Sequence, residues 1–463
     1  MKRVIIFTFA VMVVGAGCKK TYDDTVGGKT ADQRISEALA TYQKILMGAP
    51  YGWIFVESTT GIAYNQGVSQ TGPKIVLGYY MQFVDSSKVT MISDFDTSMT
   101  TVPKTSGYRV KALTRPALIF DTYSYLHVPC EPNDAVSKSP FGPGYGWGTD
   151  FEYSFSDSRV PAVTADTLRL TGNLNSAGGL LVKATQAQRD AYLQGKTKGN
   201  MVGLGNLNNI LNYFKRLTVG SVSYDLRVDV VNRTITFTWK DGSGNFQTQT
   251  VNYYVSGTGI NLFTPIVNGS QTITSIDNIT WNGSFTLFTV TINGQQGQVV
   301  GATTPVIADA GAPARWWNYA NDNRLYWASW NGFHVNGVDD AFGVTTLSNA
   351  SGTFYYYGYL PHLFGPPNNP DADAFAPLML KKDSLSLNNY FTAPGFPPSF
   401  TGGKVIFTEL GTIGTTPPGG PVDLSQQTLY NPAGFYLVQT GDKTYDMVLA
   451  TDAKTWISWF FPR

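Results

Sequence analysis

Hydrophobic residues near the start of the chain repeat with the spacing of a helix. Six of them fall on one helical face: Ile35, Ala38, Leu39, Tyr42, Ile45 and Leu46. Thr30 and Gln33 form a capping box, in which each side chain accepts a hydrogen bond from the backbone N–H of the other residue. Gly48 and Pro50 end the pattern. The sequence therefore predicts an amphipathic helix that starts after Thr30, ends at Gly48 and packs against a sheet.

After this helix, the spacing of apolar residues favours strands. Lys74–Phe83 and Val89–Ser93, separated by a polar turn, predict a hairpin. Tyr108–Thr114 and Ala117–Val128 predict two more strands. Pro129 marks the end of the second strand, because proline cannot donate a hydrogen bond to a sheet. We expect the helix to pack on antiparallel sheets built from such strands.

The most regular alternation begins at Val222. From Val222 to Val230 every second residue is apolar and the residues between them are polar. This pattern is typical of an antiparallel sheet with one face buried and the other in water. It returns at Ile235–Trp239, and further strand patterns follow at Val251–Val255, Ile273–Trp281 and Phe285–Ile292. These segments predict an antiparallel meander.

Two shorter helices are predicted between these strand-rich segments. A second capping box, at Thr185 and Gln188, predicts a short helix that ends near Gln194. Apolar residues at helical spacing from Leu204 to Leu217 predict another helix, which ends near Gly220.

Changes in composition divide the chain into segments. Residues 30–300 are predicted to form an α+β domain that contains the meander. Residues 301–314 are rich in Gly, Ala and Pro and are predicted to form a linker. Residues 315–463 are predicted to form an aromatic-rich β domain, which Gly and Pro loops break into short strands. The predicted fold class is mainly β (α+β), with an N-terminal helix packed on antiparallel sheets, followed by a smaller aromatic-rich β domain.

The first residues have the pattern of an export signal. Two basic residues precede an apolar run, Val4–Val14, and small residues lead to Cys18. The apolar run is too short to span a bilayer. We predict residues 1–17 as a lipoprotein signal peptide, Cys18 as the lipidated first residue of the mature chain, and residues 18–29 as a flexible tether. An ordinary secretory signal followed by an incidental Cys is the alternative.

Charge and cysteine content narrow the function classes. The 463 residues carry a net charge of +1, which argues against a nucleic-acid-binding surface. Charged residues make up 14% of the chain, against about 25% in an average globular domain. Neutral polar side chains must therefore cover much of the surface, and they suit neutral polar ligands. If Cys18 carries lipid, Cys130 has no partner for an internal disulfide.

The sequence contains no recognisable catalytic motif. Its three His residues are isolated, and no His-Glu-x-x-His motif occurs. Glycoside hydrolysis needs two carboxylates about 5–10 Å apart. Candidates are Asp150, Glu152, Asp339 and Asp340, which the sequence alone does not pair. We therefore expect no catalytic residues and a non-enzymatic protein.

Metal and cofactor sites are not expected either. Asp371 and Asp373 lie in an Asn- and Pro-rich loop and together offer two oxygens to a calcium ion. Surface turns favour Asp in any case. We predict no metal site and no cofactor, with calcium at this loop as the alternative.

Aromatic residues offer the clearest binding chemistry, and they are dense in the last third of the chain. Flat rings pack on the apolar faces of sugars or on peptide side chains, while Asn and Gln form hydrogen bonds at the rim. The predicted ligand-binding residues are Trp316, Trp317, Trp327, Trp330 and Tyr356. The alternative for each ring is that it fills the core of a small β layer.

Several short motifs are shared with a known family. They are Ala49-Pro50-Tyr51-Gly52-Trp53, Lys111-Ala112-Leu113, the run Pro116–His127 and Asp150-Phe151-Glu152-Tyr153, together with the later meander Tyr224–Trp281. In these motifs the chain resembles the domain-of-unknown-function family numbered 4302, which consists of Bacteroidota surface lipoproteins. The motifs are structural rather than catalytic, so the resemblance implies no active-site residue.

The resemblance implies a location and a set of partners. Asp23-Asp24, shortly after Cys18, is similar to the acidic export signals of surface lipoproteins. It implies the outer leaflet of the outer membrane, facing the cell exterior, with the lipid anchor as the membrane contact. Such proteins are typically encoded beside TonB-dependent nutrient receptors and their surface-binding lipoproteins.

The expected function is a non-catalytic accessory that binds a glycan or peptide for a TonB-dependent importer. A structural or docking subunit of a surface protein complex is one alternative. A glycoside or peptide hydrolase with unidentified carboxylates is another.

Overall fold

The structure is a computed structural model that describes residues 27–157, 159–284, 286–349, 352–365, 371–381, 385–387 and 391–462. The predicted signal peptide, Cys18 and the Asp23-Asp24 pair lie outside the described residues. Within the described residues, no helix has both the length and the apolar character needed to cross a membrane.

The predicted N-terminal helix is present as α1, Ala31–Met47. Its capping box forms as predicted: Gln33 N–H donates to Thr30 Oγ1 at 3.2 Å, and Thr30 N–H donates to Gln33 Oε1 at 2.9 Å. On the buried face, Tyr42 stacks on Phe155 with ring centroids 3.7 Å apart. The helix therefore packs against the first sheet, as the sequence predicted.

A nine-stranded sheet with antiparallel neighbours follows α1. The strands of this part of the chain are β1 (Trp53–Ser58), β2 (Ile62–Asn65), β3 (Val68–Thr71), β4 (Val76–Phe83), β5 (Lys88–Ser93), β6 (Lys104–Gly107), β7 (Arg109–Ala112), β8 (Pro116–Ile119), β9 (Glu152–Phe155), β10 (Thr167–Gly172) and β11 (Gly178–Lys183). The order in the sheet is β6-β5-β4-β1-β11-β10-β9-β8-β7, and β2 and β3 form a separate hairpin. The pair β4–β5 is the hairpin predicted from the sequence.

The predicted strand Ala117–Val128 is wrong over most of its length. β8 covers its beginning, and His127–Cys130 forms a short helix, α2. Ser124 turns the chain, because its backbone N–H donates to His127 Nδ1 at 3.1 Å and its hydroxyl lies 3.0 Å from the same nitrogen. Local side-chain bonds of this kind compete with strand pairing. A further short helix, α3, follows at Asp134–Ser137.

Two helices connect the first sheet to the rest of the chain. They are α4, Gln186–Leu193, and α5, Lys196–Gly205. The second capping box is present, since Gln188 N–H donates to Thr185 Oγ1 at 3.2 Å. The short helix predicted at this position is therefore confirmed.

The apolar pattern from Leu204 to Leu217 is divided between a helix and a strand. The end of α5 and a 3-10 turn at Asn206–Asn209 take its first part, but Phe214–Val219 is a strand, β12. The helix prediction is therefore wrong from Phe214 onward. Leu217 and Val219 lie two positions apart and are both buried. Burial here follows the two-residue repeat of a strand and not the 3.6-residue repeat of a helix.

The predicted meander is present and closes on itself as a barrel of eight strands. The strands after β12 are β13 (Val222–Asp229), β14 (Thr234–Lys240), β15 (Phe246–Val255), β16 (Gly259–Asn268), β17 (Gln271–Trp281), β18 (Leu287–Ile292) and β19 (Gln295–Ala302). β19 pairs with β12 and closes the barrel. Large apolar side chains such as Tyr224 and Phe237 fill the interior. The barrel ends at Ala302, just inside the segment 301–314 that was predicted as a linker.

A second large sheet forms the C-terminal part of the chain, as the sequence predicted. Its strands are β20 (Trp327–Ser329), β21 (His334–Val335), β22 (Ser348–Asn349), β23 (Gly352–Phe364), β24 (Ala372–Leu380), β25 (Leu385–Leu387), β26 (Phe391–Thr401), β27 (Lys404–Glu409), β28 (Ile413–Gly414), β29 (Phe435–Gly441), β30 (Thr444–Leu449) and β31 (Thr455–Phe460). Their main order is β22-β23-β20-β31-β30-β29-β27-β26-β24-β25, with β21 beside β31 and β28 beside β26.

Two helices and two single turns complete the described structure. The helices are α6, Ala312–Asn323, and α7, Pro421–Leu429. The 3-10 turns lie at Thr97–Thr100 and Val344–Thr346. α6 precedes the C-terminal sheet, and its buried residues pack against the aromatic core of that sheet.

Polar contacts join the three β units. Asp94, which follows β5, accepts hydrogen bonds from Arg233 Nη1 at 2.8 Å and from Val255 N–H at 2.6 Å, both on the barrel. Just before the first barrel strand, the Tyr213 hydroxyl donates to Asp446 Oδ2 at 2.7 Å, on the C-terminal sheet. The second of these junctions borders the candidate site.

Candidate functional site

The aromatic residues of the C-terminal sheet separate into a buried group and an exposed group. The buried group, the core cluster, consists of Trp316, Trp327, Tyr359 and Trp459. Trp316 stacks on Tyr359 with ring centroids 4.6 Å apart, and Trp327 Nε1 donates to the Trp316 carbonyl at 2.8 Å. Trp316 and Trp327 are each 0% exposed. The prediction that these two residues bind a ligand is therefore wrong, because they hold α6 against the sheet.

Trp317, the neighbour of Trp316 on α6, is half-buried and bonded within the protein. Its indole N–H donates to Asp373 Oδ2 at 2.7 Å. The Tyr359 hydroxyl donates to the same oxygen, and the His362 N–H donates to the other oxygen, Oδ1, at 2.9 Å. Trp317 thus belongs to a hydrogen-bonded group beside the core cluster, apart from the exposed rings.

Trp330 is the exposed tryptophan of the predicted set, with 56% of its surface open to solvent. Its ring stacks on Phe460 with centroids 5.0 Å apart and 15° between the planes. Tyr356 meets the same ring edge-on at 4.6 Å. The structure therefore brings Trp330 and Tyr356 together, but Tyr356 is 8% exposed and contributes packing rather than a free face.

The turn after β20 fixes the position of Trp330. Gly332 N–H donates to Asp340 Oδ1 at 3.3 Å. A Cβ atom at Gly332 would meet a methyl carbon of Val344 at 2.7 Å, so the close approach of these segments requires glycine. The tight turn leaves the indole exposed just after the end of β20, where a ligand can reach it.

His334 and Trp456 form a second stacked pair, with ring centroids 3.6 Å apart. His334 Nε2 accepts a hydrogen bond from Gly337 N–H at 3.1 Å. The ring proton is therefore on Nδ1, which donates to Asp339 Oδ1 at 2.5 Å. The Asp339 side chain is 82% exposed, so its carboxylate keeps the capacity to accept hydrogen bonds from a ligand.

Asp446, which is half-buried, supplies a second carboxyl group to the same place. It accepts hydrogen bonds from the Tyr213 hydroxyl at 2.7 Å and from Ser458. Burial raises the pKa of Asp446, while these donors and the charge of Arg227 act in the opposite direction. The site therefore contains two different carboxyl groups. Burial shifts that of Asp446 towards the protonated form, whereas that of Asp339 is exposed.

These residues line an open cleft of about 540 Å³ between the C-terminal sheet and the barrel. We call it the aromatic cleft, and its main lining residues are Arg227, Trp330, His334, Asp339, Asp446, Trp456 and Phe460. Small-molecule sites typically occupy ~300–1,000 Å³ and combine apolar or aromatic walls with a few polar groups. The cleft has the size and the lining of such a site.

The four carboxylates considered from the sequence have different surroundings. Asp150 is buried and accepts backbone N–H bonds from the turn between β10 and β11. Asp340 lines the aromatic cleft, but both of its oxygens accept bonds from nearby residues of its own loop. Glu152 lies on β9, in the first sheet. Asp339 is the member of this set that faces the cleft with a largely exposed carboxylate.

Several residues of the cleft were not predicted as site residues. Trp456, Ser458 and Phe460 alternate along β31 with the buried Ile457 and Trp459. This period of 2 is visible in the sequence, and it separates the two faces of the strand. Arg227 and Asp446 carry no such signal, because they lie far apart in the sequence and meet where the barrel touches the C-terminal sheet.

A second group of rings and carboxyl groups, the Glu57 network, is closed to solvent. Glu57 is 0% exposed and contacts the hydroxyls of Tyr153 and Tyr79 at 2.6 and 3.2 Å. Burial raises the pKa of Glu57 to about 8, although its hydrogen bonds oppose this shift. The Tyr153 hydroxyl also lies 2.5 Å from the Asp150 carbonyl. One hydroxyl proton cannot serve both oxygens, so a proton on Glu57 completes the network.

The carboxylates and His residues of the C-terminal sheet mostly bond other protein groups. In the part of the chain that the structure describes, no three His, Cys, Asp or Glu side chains are grouped to hold a metal ion. Asp371, considered for calcium, contacts His362 Nδ1 at 2.5 Å. Asp373, the other residue considered, bonds Trp317 and Tyr359. Both carboxylates thus bond protein groups, and His362 contacts both of them, through its ring and through its backbone N–H.

Comparison with protein families identifies the first sheet and most of the barrel. A family model described as Domain of unknown function (DUF4302) matches residues 23–283. The chain belongs to this family. The match confirms the resemblance found in the sequence, and it spans the Glu57 network and the strands from β12 to β17. Of the aromatic cleft, the DUF4302 match includes Arg227 but not the residues of the C-terminal sheet.

The comparisons with curated proteins and with solved structures do not indicate a function. The comparison with curated proteins gives no match. Among solved structures, the octameric penicillin-binding protein homologue from Pyrococcus abyssi is similar over 34% of this chain and 36% of that chain, at 8% identity and a TM-score of 0.14. The DUF4302 chain thus covers about a third of that protein, and a similarity this low indicates neither a shared fold nor a shared function.

Proposed function

We propose that the protein is a lipid-anchored surface protein of the outer membrane that binds a glycan or peptide in the aromatic cleft. In this proposal it acts without catalysis, as an accessory to a TonB-dependent nutrient importer. The observation that carries the binding part is Trp330, which is 56% exposed and held by stacking on Phe460. A large ring that is open on one side and supported on the other is a surface that a ligand can cover.

The groups beside Trp330 suit a ligand that carries hydroxyl or amide groups. The Asp339 carboxylate accepts hydrogen bonds, and the Asn331 side chain both donates and accepts them. Arg227 on the opposite side brings one positive charge to a cleft that also contains carboxyl groups. Charges of both signs in one small cleft favour a ligand without a large net charge.

The proposed location rests on the N-terminal sequence. The apolar run before Cys18 and the acidic pair Asp23-Asp24 are typical of exported surface lipoproteins of Bacteroidota. The expected partners, a TonB-dependent receptor and its surface-binding lipoprotein, follow from the family resemblance. Cys18→Ala should release the protein from membranes, as fractionation would measure. Continued membrane association of that variant, after high-salt washes that remove bound partners, would contradict the lipid anchor.

Binding of glycan and peptide panels to the full mature chain tests the proposed ligand site. Trp330→Ala should lower the affinity for the bound class by about tenfold or more, because exposed aromatic anchors dominate binding energy. Phe263→Ala is the matched control, since Phe263 is a similarly exposed ring on β16 of the barrel, outside the cleft. Equal affinity of the Trp330→Ala variant and the unaltered chain would reject the cleft as the binding site.

One observation supports a second candidate function, glycoside hydrolysis. Asp339 and Asp446 line the same cleft, one exposed and the other with its pKa raised by burial. Glycosidases use two carboxyl groups whose surroundings separate their pKa values. Incubation of the chain with a bound oligosaccharide, followed by a reducing-end assay, tests this candidate. Product release that Asp446→Asn abolishes would replace the non-catalytic proposal.

A further inference from the structure

A second cavity adjoins the aromatic cleft. It encloses about 280 Å³ between the outer wall of the barrel and β29. Arg227 and Thr440 line both spaces. Arg227 Nη2 donates to the Thr440 carbonyl at 3.3 Å and to Thr236 Oγ1 at 3.5 Å. The two spaces are therefore neighbours, with the Arg227 side chain between them.

Threonines form the barrel side of the second cavity. We call this surface the threonine wall, and it consists of Thr236, Thr238, Thr248 and Thr250. These side chains face outward, because the alternate residues of β14 are buried inside the barrel. The hydroxyls of Thr236 and Thr250 lie 2.8 Å apart, and those of Thr238 and Thr248 lie 3.4 Å apart. The β14–β15 pairing places the two hydroxyl pairs in adjacent rows.

The opposite side of the cavity is more apolar. Tyr436 and Val438 of β29 contribute to it, together with Pro305 and Ile307 from the segment before α6. A row of hydroxyl groups facing apolar side chains matches a sugar ring, which presents hydroxyls around its edge and C–H groups on its faces. The lining therefore favours the same class of ligand as the exposed ring of Trp330.

The second cavity is about half as large as the aromatic cleft. Separate small-molecule sites usually enclose ~300–1,000 Å³. The second cavity, at about 280 Å³, falls just below that range, whereas the aromatic cleft, at about 540 Å³, falls within it. Because the two spaces share Arg227 and Thr440, a ligand that reaches from Trp330 to the second cavity must pass the Arg227 side chain.

We propose that the ligand of the aromatic cleft is a neutral oligosaccharide that passes Arg227 and places its further sugar units against the threonine wall. This inference rests on the proposed function and narrows it to one ligand class. Threonine hydroxyls both donate and accept hydrogen bonds, as sugar hydroxyls do. The four threonines carry no charge, and the two carboxylates that line the same cavity, Asp225 and Asp309, are paired with Arg216 and Arg315. A chain of linked sugars can use both the ring of Trp330 and the hydroxyls of the wall.

Calorimetric titration with oligosaccharides of increasing length tests the inference. The probes are α- and β-linked gluco- and manno-oligosaccharides of one to six units, added to the full mature chain. We expect the affinity to rise with length. The double variant Thr238→Val/Thr248→Val should lower the affinity for the longest binder by about tenfold, which corresponds to two lost hydrogen bonds. It should leave the affinity for the shortest binder unchanged.

A second pair of substitutions controls for general effects on the barrel. Thr289→Val/Thr291→Val removes two hydroxyls from the outer face of β18, outside both spaces, and should bind like the unaltered chain. In both double variants, valine keeps the branched shape and the preference for strands. A loss of affinity in the control pair equal to that in Thr238→Val/Thr248→Val would overturn the role of the threonine wall.

The remaining outcomes separate this inference from the proposed function. Binding that depends on Trp330 but not on ligand length would overturn the extended site and leave the proposed function standing. Binding of peptides at Trp330, with no binding of any oligosaccharide, would overturn the ligand class. Binding that does not depend on Trp330 would overturn the proposed function itself.

Discussion

The core cluster and the aromatic cleft lie on opposite faces of the same strand. β31 places Trp459 in the core cluster and Trp456 and Phe460 in the cleft. Each region also has a carboxyl group beside its rings, Asp373 near the core cluster and Asp446 in the cleft. The two regions therefore share their chemistry and differ in their access to solvent.

This difference shows what marks a binding site in an aromatic-rich sheet. Both oxygens of Asp373 accept hydrogen bonds from within the protein, and the Tyr359 ring beside it is buried. In the cleft, the Trp330 ring and the Asp339 carboxylate keep exposed surface. Aromatic content alone predicts neither role, because it is the face of the strand that decides between core and site.

The Glu57 network extends the comparison to the first sheet. Like the cleft, it combines aromatic side chains with carboxyl groups, but Glu57 has no exposed surface. Its hydroxyl and backbone partners, Tyr79, Tyr153 and Asp150, come from the protein itself. A closed network of this kind contributes to stability, and its variants should change folding rather than binding.

The largest expected effect is on the core cluster. Trp327→Ala removes a fully buried ring and leaves a cavity, so we expect the free energy of unfolding to fall by ~3–5 kcal/mol. Denaturant titration of the full mature chain measures this loss. Phe396→Ala is the control, because Phe396 is an exposed ring on β26 of the same sheet. A loss for Trp327→Ala no greater than for Phe396→Ala would contradict the assignment of Trp327 to the core.

The next largest effect is expected in the Glu57 network. Glu57→Ala leaves the Tyr79 hydroxyl and the Asp150 N–H without their buried partner, whereas the Tyr153 hydroxyl keeps the Asp150 carbonyl. Each unsatisfied buried group costs ~1–3 kcal/mol, so we expect a total loss of roughly 3 kcal/mol. Glu57→Gln should cost less, because an amide both donates and accepts, as a protonated carboxyl group does. Equal losses in the two variants, measured by denaturant titration, would argue against the hydrogen-bonded role.

The change in the free energy of unfolding with pH is expected to be smaller, when it is expressed per pH unit. Burial raises the pKa of Glu57 from 4.5 to about 8 in the folded chain. Stability from this group is therefore complete below pH 4.5 and is lost as the pH rises towards 8. The slope contributed by Glu57 is at most ~1.4 kcal/mol per pH unit. Glu57→Gln should remove that contribution from unfolding curves measured across this range. An unchanged slope in the variant would assign the pH dependence to other groups.

Much of the fold could be predicted from local sequence patterns. The capping box at Thr30 and Gln33 identifies α1, and the alternation from Val222 predicts the meander. The closure of the barrel could not be predicted in this way. β19, Gln295–Ala302, is rich in Gly and Gln and has weak apolar alternation, so it becomes a strand because β12 and β18 pair with it on both sides. Tertiary pairing overrides local propensity there.

The candidate site was predicted in part. The aromatic composition indicated the correct sheet, but Trp316 and Trp327 belong to its core, whereas Trp330 and Trp456 line the cleft. The sequence shows which of these rings face the core and which face the cleft only once the boundaries of the helix and the strands are known. The site also needs Arg227 from the barrel, and no local pattern indicates a contact between two β units so distant in sequence.

The smallest effect on folding is expected for Trp330. More than half of its surface is exposed, so Trp330→Ala leaves little buried cavity and should change the free energy of unfolding by less than ~1 kcal/mol. Trp330→Phe keeps a flat ring over Phe460 and should retain most of the binding that Trp330→Ala loses. Denaturant titration and ligand binding on the same samples measure both quantities. A loss of several kcal/mol in Trp330→Ala would assign this ring to the core, and weaker binding by that variant would then report misfolding rather than the position of the ligand.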